Sequence, residues 1–233
     1  MTTQAILWDV DGTLLDFAAA EKAAVQKLFI EFGLGECTDG MVARYSAIND
    51  AYWKRLERGE ITKAEVLVGR YRDFFSEIGV DPSLAETFNA RYQIALGDTV
   101  VYRDDSLNLV KSLHGKVKQY VVSNGTVVAQ TRKLERSGLG RWMDGIFLSE
   151  QLGAEKPSPR FFEQVFAALP DIPKEDMLIV GDSLTSDMQG GNNAGIRCCW
   201  YNPAGAEAPD SLRIHHSIHD LRQVEALLTD FDF

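Results

Sequence analysis

Cysteine is scarce: three residues in a chain of 233, too few for a disulfide framework. Cys198 and Cys199 are neighbours within IRCCWY, a run that reads as strand and would turn the two thiols to opposite faces. Cys37 falls in an expected loop and carries no motif. Reduced, packed thiols are the reading, which suits a cytoplasmic protein. Long apolar runs are missing too. No stretch approaches the roughly 20 apolar residues of a membrane span. The opening MTTQAILWD lacks a basic start followed by a long apolar stretch, so no secretion signal is expected. Positive charge is in deficit, with 24 Lys and Arg against 34 Asp and Glu and a formal net charge of -10. Such a field disfavours nucleic-acid polymers and anionic membranes. It still admits a small phosphorylated metabolite, because a local cation can reverse the field inside one pocket. Internal repeats, low-complexity runs and long linkers are absent as well.

What is present is an alternation of short apolar runs with helical patterns. Strands are expected at 5–9 (AILWD), 117–123 (VKQYVVS), 145–149 (GIFLS), 176–182 (DMLIVGD) and 196–201 (IRCCWY), with a weak sixth around Ile214. Their continuous apolar character suits parallel strands covered on both faces. Helical patterns fill 127–137, closed by Gly138, and 158–169, with Phe161, Phe162, Val165, Phe166 and Leu169 on one stripe. The fold class expected is α/β, a doubly wound, mostly parallel, Rossmann-like sheet whose ligands sit beyond the carboxyl ends of the strands. One interval breaks the rhythm. Between Phe17 and about Gly97 only helices are signalled, near 18–32, 39–58, 62–78 and 83–96, punctuated by Gly33, Gly35, Gly59, Gly79 and Pro82. The expected organisation is therefore a core of 1–16 and 98–233 with a helical bundle inserted at 17–97.

Four polar clusters fall where strands should end: Asp9-Val10-Asp11-Gly12-Thr13, Ser123-Asn124-Gly125-Thr126, Lys156 in AEKPSP, and Gly181-Asp182-Ser183 with Asp187. Two carboxylates at the tip of a core strand repel each other and lose hydration, so Asp9 and Asp11 call for a cation or a reaction. Phosphoryl transfer uses every part. Asp9, Asp182 and Asp187 are hard oxygen ligands suited to Mg²⁺. Asp9 can attack phosphorus while the metal screens the repulsion between two anions. Asp11 can protonate the departing alkoxide and later deprotonate the water that hydrolyses the aspartyl phosphate. Ser123 and the backbone N–H groups of Asn124 and Gly125 can grip phosphoryl oxygens where a strand turns into a helix, and Lys156 adds a positive charge.

With these four motifs in order, the sequence resembles the phosphatases of the haloacid dehalogenase (HAD) superfamily. The likeness runs through the whole chain, including the helical insertion, which sits where that superfamily carries its C1 cap. The resemblance implies Asp9 as nucleophile and metal ligand, and Asp11 as acid/base whose carbonyl also ligates Mg²⁺. It further implies Asp182 as a metal carboxylate, Asp187 as a ligand or its supporting neighbour, and Lys156 as the group orienting nucleophile and phosphate. Within the insertion, Asn49, Trp53, Gly59-Glu60-Ile61 and Arg70 resemble the pyrimidine 5′-nucleotidase branch, as does SNGTVVAQTRKLERSGL in the core. The implied substrates are nucleoside 5′-monophosphates. Alternatives are a phosphatase of phosphoglycolate or a sugar phosphate, a sugar phosphomutase, a non-catalytic phospholigand binder, and a metal-free dehalogenase, against which Asp11 argues. YRDDSLNLVKSL at 102–113 departs from the branch, whose members usually carry a proline and glycine there. Specificity is expected from the insertion and the loop around Asp16 and Phe17. Three other features read as structural. QGGNNAG at 189–195 follows helix and lacks the G-x-G-x-x-G order, so close helix packing is expected. His215, His216 and His219 match no compact metal site, and a strand end followed by a Ser217 helix cap is expected. Tyr45, Tyr52 and Trp53 at helical spacing read as bundle core.

Overall fold

The structure, a computed structural model, describes residues 3–229. The chain begins with β1 (Ala5–Trp8) and passes into α1 (Phe17–Glu31), α2 (Asp39–Glu57), α3 (Lys63–Ile78) and α4 (Ala85–Asp98). It continues through α5 (Ser106–Leu113), β2 (Lys118–Ser123), α6 (Val127–Ser137), β3 (Gly145–Leu148), α7 (Ser149–Leu152) and α8 (Pro159–Ala168). The last elements are β4 (Met177–Gly181), α9 (Gln189–Ala194), β5 (Arg197–Tyr201), β6 (His216–Ile218) and α10 (Gln223–Thr229). Two compact units result: Met1–Phe17 with Val100–Phe233, and Ala18–Thr99. Among the described residues no helix is long and apolar enough to cross a membrane.

In the first unit all six strands are parallel, in the order β3-β2-β1-β4-β5-β6. Successive residues of each strand feed opposite layers, as period-2 geometry requires. Ile6, Trp8, Val121, Val180 and Cys199 pack beneath α5, α6 and α10, while Ala5, Leu7, Val122, Ile179 and Cys198 pack against α8. The two adjacent cysteines thus lie on opposite faces, and all three thiols are unpaired and buried. Gly190 abuts Phe162, and Gly191 abuts Cys198 and Ile179, so these two glycines serve close helix packing, while Gly195 ends α9 in the left-handed conformation. The register positions the functional edge. Trp8 pairs with Val121 on one side and with Val180 on the other, so the residues that follow these three strands emerge together. Strand order also reverses at β1, from which β2 and β3 lie to one side and β4 to β6 to the other. That is the switch point where open α/β sheets hold ligands.

The chain leaves and re-enters this unit at one place. Leu15 forms an antiparallel bridge with Tyr102, Asp16 N–H donates to Val101 O (2.8 Å), and the Ser106 hydroxyl donates to Leu14 O (2.7 Å). Within 102–113, Asp104 takes a positive φ of 43° and α5 starts at Ser106.

The second unit is a four-helix bundle. Its α3 opens on a capping box in which Glu65 N–H donates to the Thr62 hydroxyl and Thr62 N–H to the Glu65 carboxylate. It closes on left-handed Gly79. Phe29, Tyr45, Tyr71, Phe74, Phe75, Phe88 and Tyr92 fill the interior. Arg70 is buried among them, 4.9 and 5.2 Å from the Tyr71 and Tyr92 ring centres. It donates to Asn49 (2.6 Å) and Asn89 (3.0 Å), and Asn49 donates to buried Glu21 (2.8 Å). Tyr45 is core as expected, whereas Tyr52 and Trp53 are only partly covered and Tyr52 donates to Asp73.

One sequence expectation fails at the carboxyl end. The sixth strand lies at His216–Ile218 rather than around Ile214, and Ser217 pairs with Trp200 inside it instead of capping a helix. The cap comes from the other direction. The Gln223 side chain accepts from His219 N–H (2.7 Å) and Asp220 N–H (3.1 Å), holding the entry to α10.

Candidate active site

Asp9 directly follows β1, and its buried carboxylate accepts from the Lys156 ammonium at 2.8 Å. Lys156 is 1% exposed and also donates to Asp187 (2.6 Å) and to Val122 O (2.8 Å). It is no solvated surface lysine: three acceptors use its three protons. Burial alone would lower its pKa, but the Asp187 and Asp9 carboxylates outweigh burial and raise it, so it stays charged. Asn124 fixes the backbone on which Lys156 rides, with its amide donating to Lys156 O and its carbonyl oxygen accepting from Lys156 N–H, both at 2.8 Å. The Asn124 side chain is therefore a strut, and only its backbone N–H remains for a phosphate.

Ser123 ends β2, and its hydroxyl accepts from Gly125 N–H (3.0 Å). Thr126 then caps α6, accepting from Ala129 N–H (3.2 Å). Asp182 follows β4. Its carboxylate accepts from the Thr13 hydroxyl (3.0 Å), and its carbonyl accepts from the Trp200 indole N–H (2.9 Å). Gly12, at φ 93°, brings the first loop against it: a Cβ there would stand 2.5 Å from the Asp182 carboxylate. After β4 a π-type turn at Leu184–Met188 swings Asp187 back under the strand end. There it accepts from Ser183 N–H (3.1 Å) as well as from Lys156. Gly181 makes room, because a side chain at that position would overlap the Asp187 carboxyl.

Asp9, Asp182 and Asp187 can each offer one carboxylate oxygen within 4.8 Å of the others. Their charges strain one another. Burial, with Asp187 and Asp182 adding to it against the opposing Lys156, pushes the Asp9 carboxyl well above its ordinary range. Burial and Asp187 push Asp182 up to about 7. Lys156 alone does not neutralise three acids. The donor set, hard carboxylate oxygens that meet at one point beside a cation deficit, fits a hard divalent cation such as Mg²⁺. Both Asp187 oxygens already have partners, so Asp9 and Asp182 are better disposed to hold such an ion directly.

Asp11 stands elsewhere in the cluster. Its two oxygens are gripped from α6, one by the Lys133 ammonium and the other by the Gln130 amide at 2.5 Å. Thr13, Gln130 and Lys133 lie within runs that the sequence reading quotes, yet receive no role there. A signal exists for the last two: Gln130, Lys133 and Ser137 recur on the stripe of α6 that faces the core, where polar side chains require partners.

A model of the haloacid dehalogenase-like hydrolase family matches residues 3–195. The pyrimidine 5′-nucleotidase PynA of Streptococcus pneumoniae is 38% identical over 199 residues, 85% of this chain and 83% of that protein. The pyrimidine 5′-nucleotidase YjjG of Escherichia coli is 26% identical over 223 residues, 96% of each chain. Among solved structures, the HAD-hydrolase YfnB of Bacillus subtilis, bound to magnesium, superposes with a TM-score of 0.89 at 34% identity, covering 98% of this chain and 99% of its own.

Proposed function

The chain belongs to the haloacid dehalogenase-like hydrolases, and we propose that it is a Mg²⁺-dependent phosphomonoesterase acting on nucleoside 5′-monophosphates. The observation that carries the chemistry is the meeting of Asp9, Lys156, Asp187 and Asp182 at one edge of the sheet, with Ser123 ending the neighbouring strand. The substrate class rests on the two nucleotidases to which the chain is similar.

In this reading Asp9 and Asp182, with the carbonyl of Asp11, would hold Mg²⁺, which would supply the positive charge that lets an anionic ester approach an anionic nucleophile. The Ser123 hydroxyl and the Asn124 N–H receive the phosphoryl oxygens, and Gly125 N–H joins them by leaving the Ser123 hydroxyl. Lys156 favours the ionised form of Asp9 and aims it, and Asp187 keeps Lys156 in place. An Asp9 oxygen attacks phosphorus, the ester P–O bond breaks, and Asp11 gives its proton to the departing oxygen. Asp11 then takes a proton from water, whose oxygen attacks the aspartyl phosphate, releasing phosphate and restoring Asp9.

The test uses 4-nitrophenyl phosphate and a set of pyrimidine and purine nucleoside 5′-monophosphates, sugar phosphates and phosphoglycolate, each with Mg²⁺ and with excess chelator. Phosphate release is expected to need the metal, to vanish in Asp9→Asn, and to be fastest on nucleotides. Release indifferent to both chelator and Asp9→Asn would overturn the mechanism. A preference for sugar phosphates or phosphoglycolate would overturn the substrate class alone.

A further inference from the structure

We propose that Gln130 and Lys133 are the positioning residues of Asp11, setting where the proton donor stands relative to the bound phosphoryl group. The proposal rests on the reading of Asp11 as the acid/base. Lys133 is 1% exposed and Gln130 fully buried. Three residues apart on α6, they share one face of the helix. Each donates to a different oxygen of the Asp11 carboxylate. A hold on both oxygens fixes the carboxyl plane as well as its position, while the 23% exposure of the Asp11 side chain leaves one side open to a reactant.

The same glutamine touches the phosphate turn. A Cβ on Gly125 would run into the Gln130 amide, so the turn that receives phosphoryl oxygens rests on the side chain that holds the acid. One rigid helix, capped by Thr126 at that turn, therefore carries both ends of the distance a proton must cross. Lys133 is steadied further by the Phe17 ring, 5.4 Å from its ammonium.

Stability alone does not call for these side chains. The Gln130 Oε1 is buried without a partner among the described residues, and a leucine there would remove that orphaned acceptor while leaving one Asp11 oxygen, on a side chain 23% exposed, to be served by water. A buried lysine–carboxylate pair is likewise seldom better than apolar residues of the same volume.

Leaving-group dependence separates positioning from packing. A nitrophenolate departs without a proton, whereas an alkoxide does not, and general acids are worth on the order of 10²–10⁴-fold. Single-turnover cleavage of 4-nitrophenyl phosphate and of a nucleoside 5′-monophosphate is measured for Gln130→Leu, Lys133→Met and Asp11→Asn, with folding checked by thermal melts. For the two α6 variants the expected result is a loss of at least about 30-fold on the alkyl ester and a few-fold on the aryl ester. Little change in KM should accompany it. Equal losses on both esters, or none, would overturn the proposal provided that Asp11→Asn itself discriminates. If Asp11→Asn does not discriminate, the acid/base reading has failed and the proposal with it. Gln130→Leu removes no charge and carries the test should Lys133→Met not fold.

Discussion

Replacing Lys156 by methionine removes the one cation that the described structure places between Asp9 and Asp187. Methionine approximates the lysine stem in volume, so the packing loss is small and the electrostatic loss dominates. Three hydrogen bonds vanish, and the buried Asp9 and Asp187 carboxyls lose the Lys156 ammonium, Asp187 keeping the Ser183 N–H. Breaking a buried pair in this way costs about 3–5 kcal/mol. For a chain of this size that corresponds to a fall of about 6–20 °C in melting temperature. The measurement is thermal unfolding in excess chelator near pH 7.5, for Lys156→Met, Asp187→Asn and the double variant. Neutralising Asp187 in the methionine background removes one stranded charge, so the double variant should regain about 1–2 kcal/mol over Lys156→Met. A Lys156→Met protein that melts within about 2 °C of the parent, or a double variant less stable than either single one, would refute the account of how these acids are held.

Two further outcomes are expected. In chelator, stability should rise as pH falls from 8 through 7 toward 4, because burial and Asp187 hold the folded Asp182 carboxyl up to about 7. The folded state then binds a proton that the unfolded chain, with its ordinary pKa near 3.9, does not. Saturating Mg²⁺ competes with that proton, so its increment in melting temperature should be larger at pH 8 than at pH 5.5, and equal increments would reject the assignment. In the helical unit, Arg70→Met takes the donor from the buried Asn49 carbonyl oxygen and a nearby positive charge from Glu21, while Asn89 keeps the Gln93 amide. The expected cost is about 2–4 kcal/mol, read as faster hydrogen exchange within residues 18–99 while the β1, β2 and β4 amides stay protected.

Much of this architecture was legible because parallel strands buried on both faces write themselves as unbroken apolar runs. AILW, KQYVVS and MLIVG stand out for that reason, and the acids and hydroxyls that end them can then be placed at one edge by topology alone. Helix α6 shows where such reading stops. Gln130 and Lys133 look like surface residues until the helix is docked, since only tertiary packing decides which stripe faces inward. Asn124 shows another limit: the sequence announces a turn beside a phosphate site, but not that its side chain braces Lys156 across 32 residues. Ser217 is misleading because serine is common at helix starts, while the glutamine that holds the entry to α10 is the first residue of the helix it serves. Arg70 and Asn49 carry the likeness to a branch, and their burial among tyrosines adds a structural cause for that pattern.

The antiparallel bridge between Leu15 and Tyr102 has an evolutionary and engineering meaning. An excursion of some eighty residues that begins and ends at adjacent points adds no length to any path through the sheet. Such a graft can be exchanged, shortened or diversified while the pairing of β1 with β2 and β4 is left alone. Selection can thus explore new clients by swapping the appendage, with the acid-bearing strand tips inherited intact.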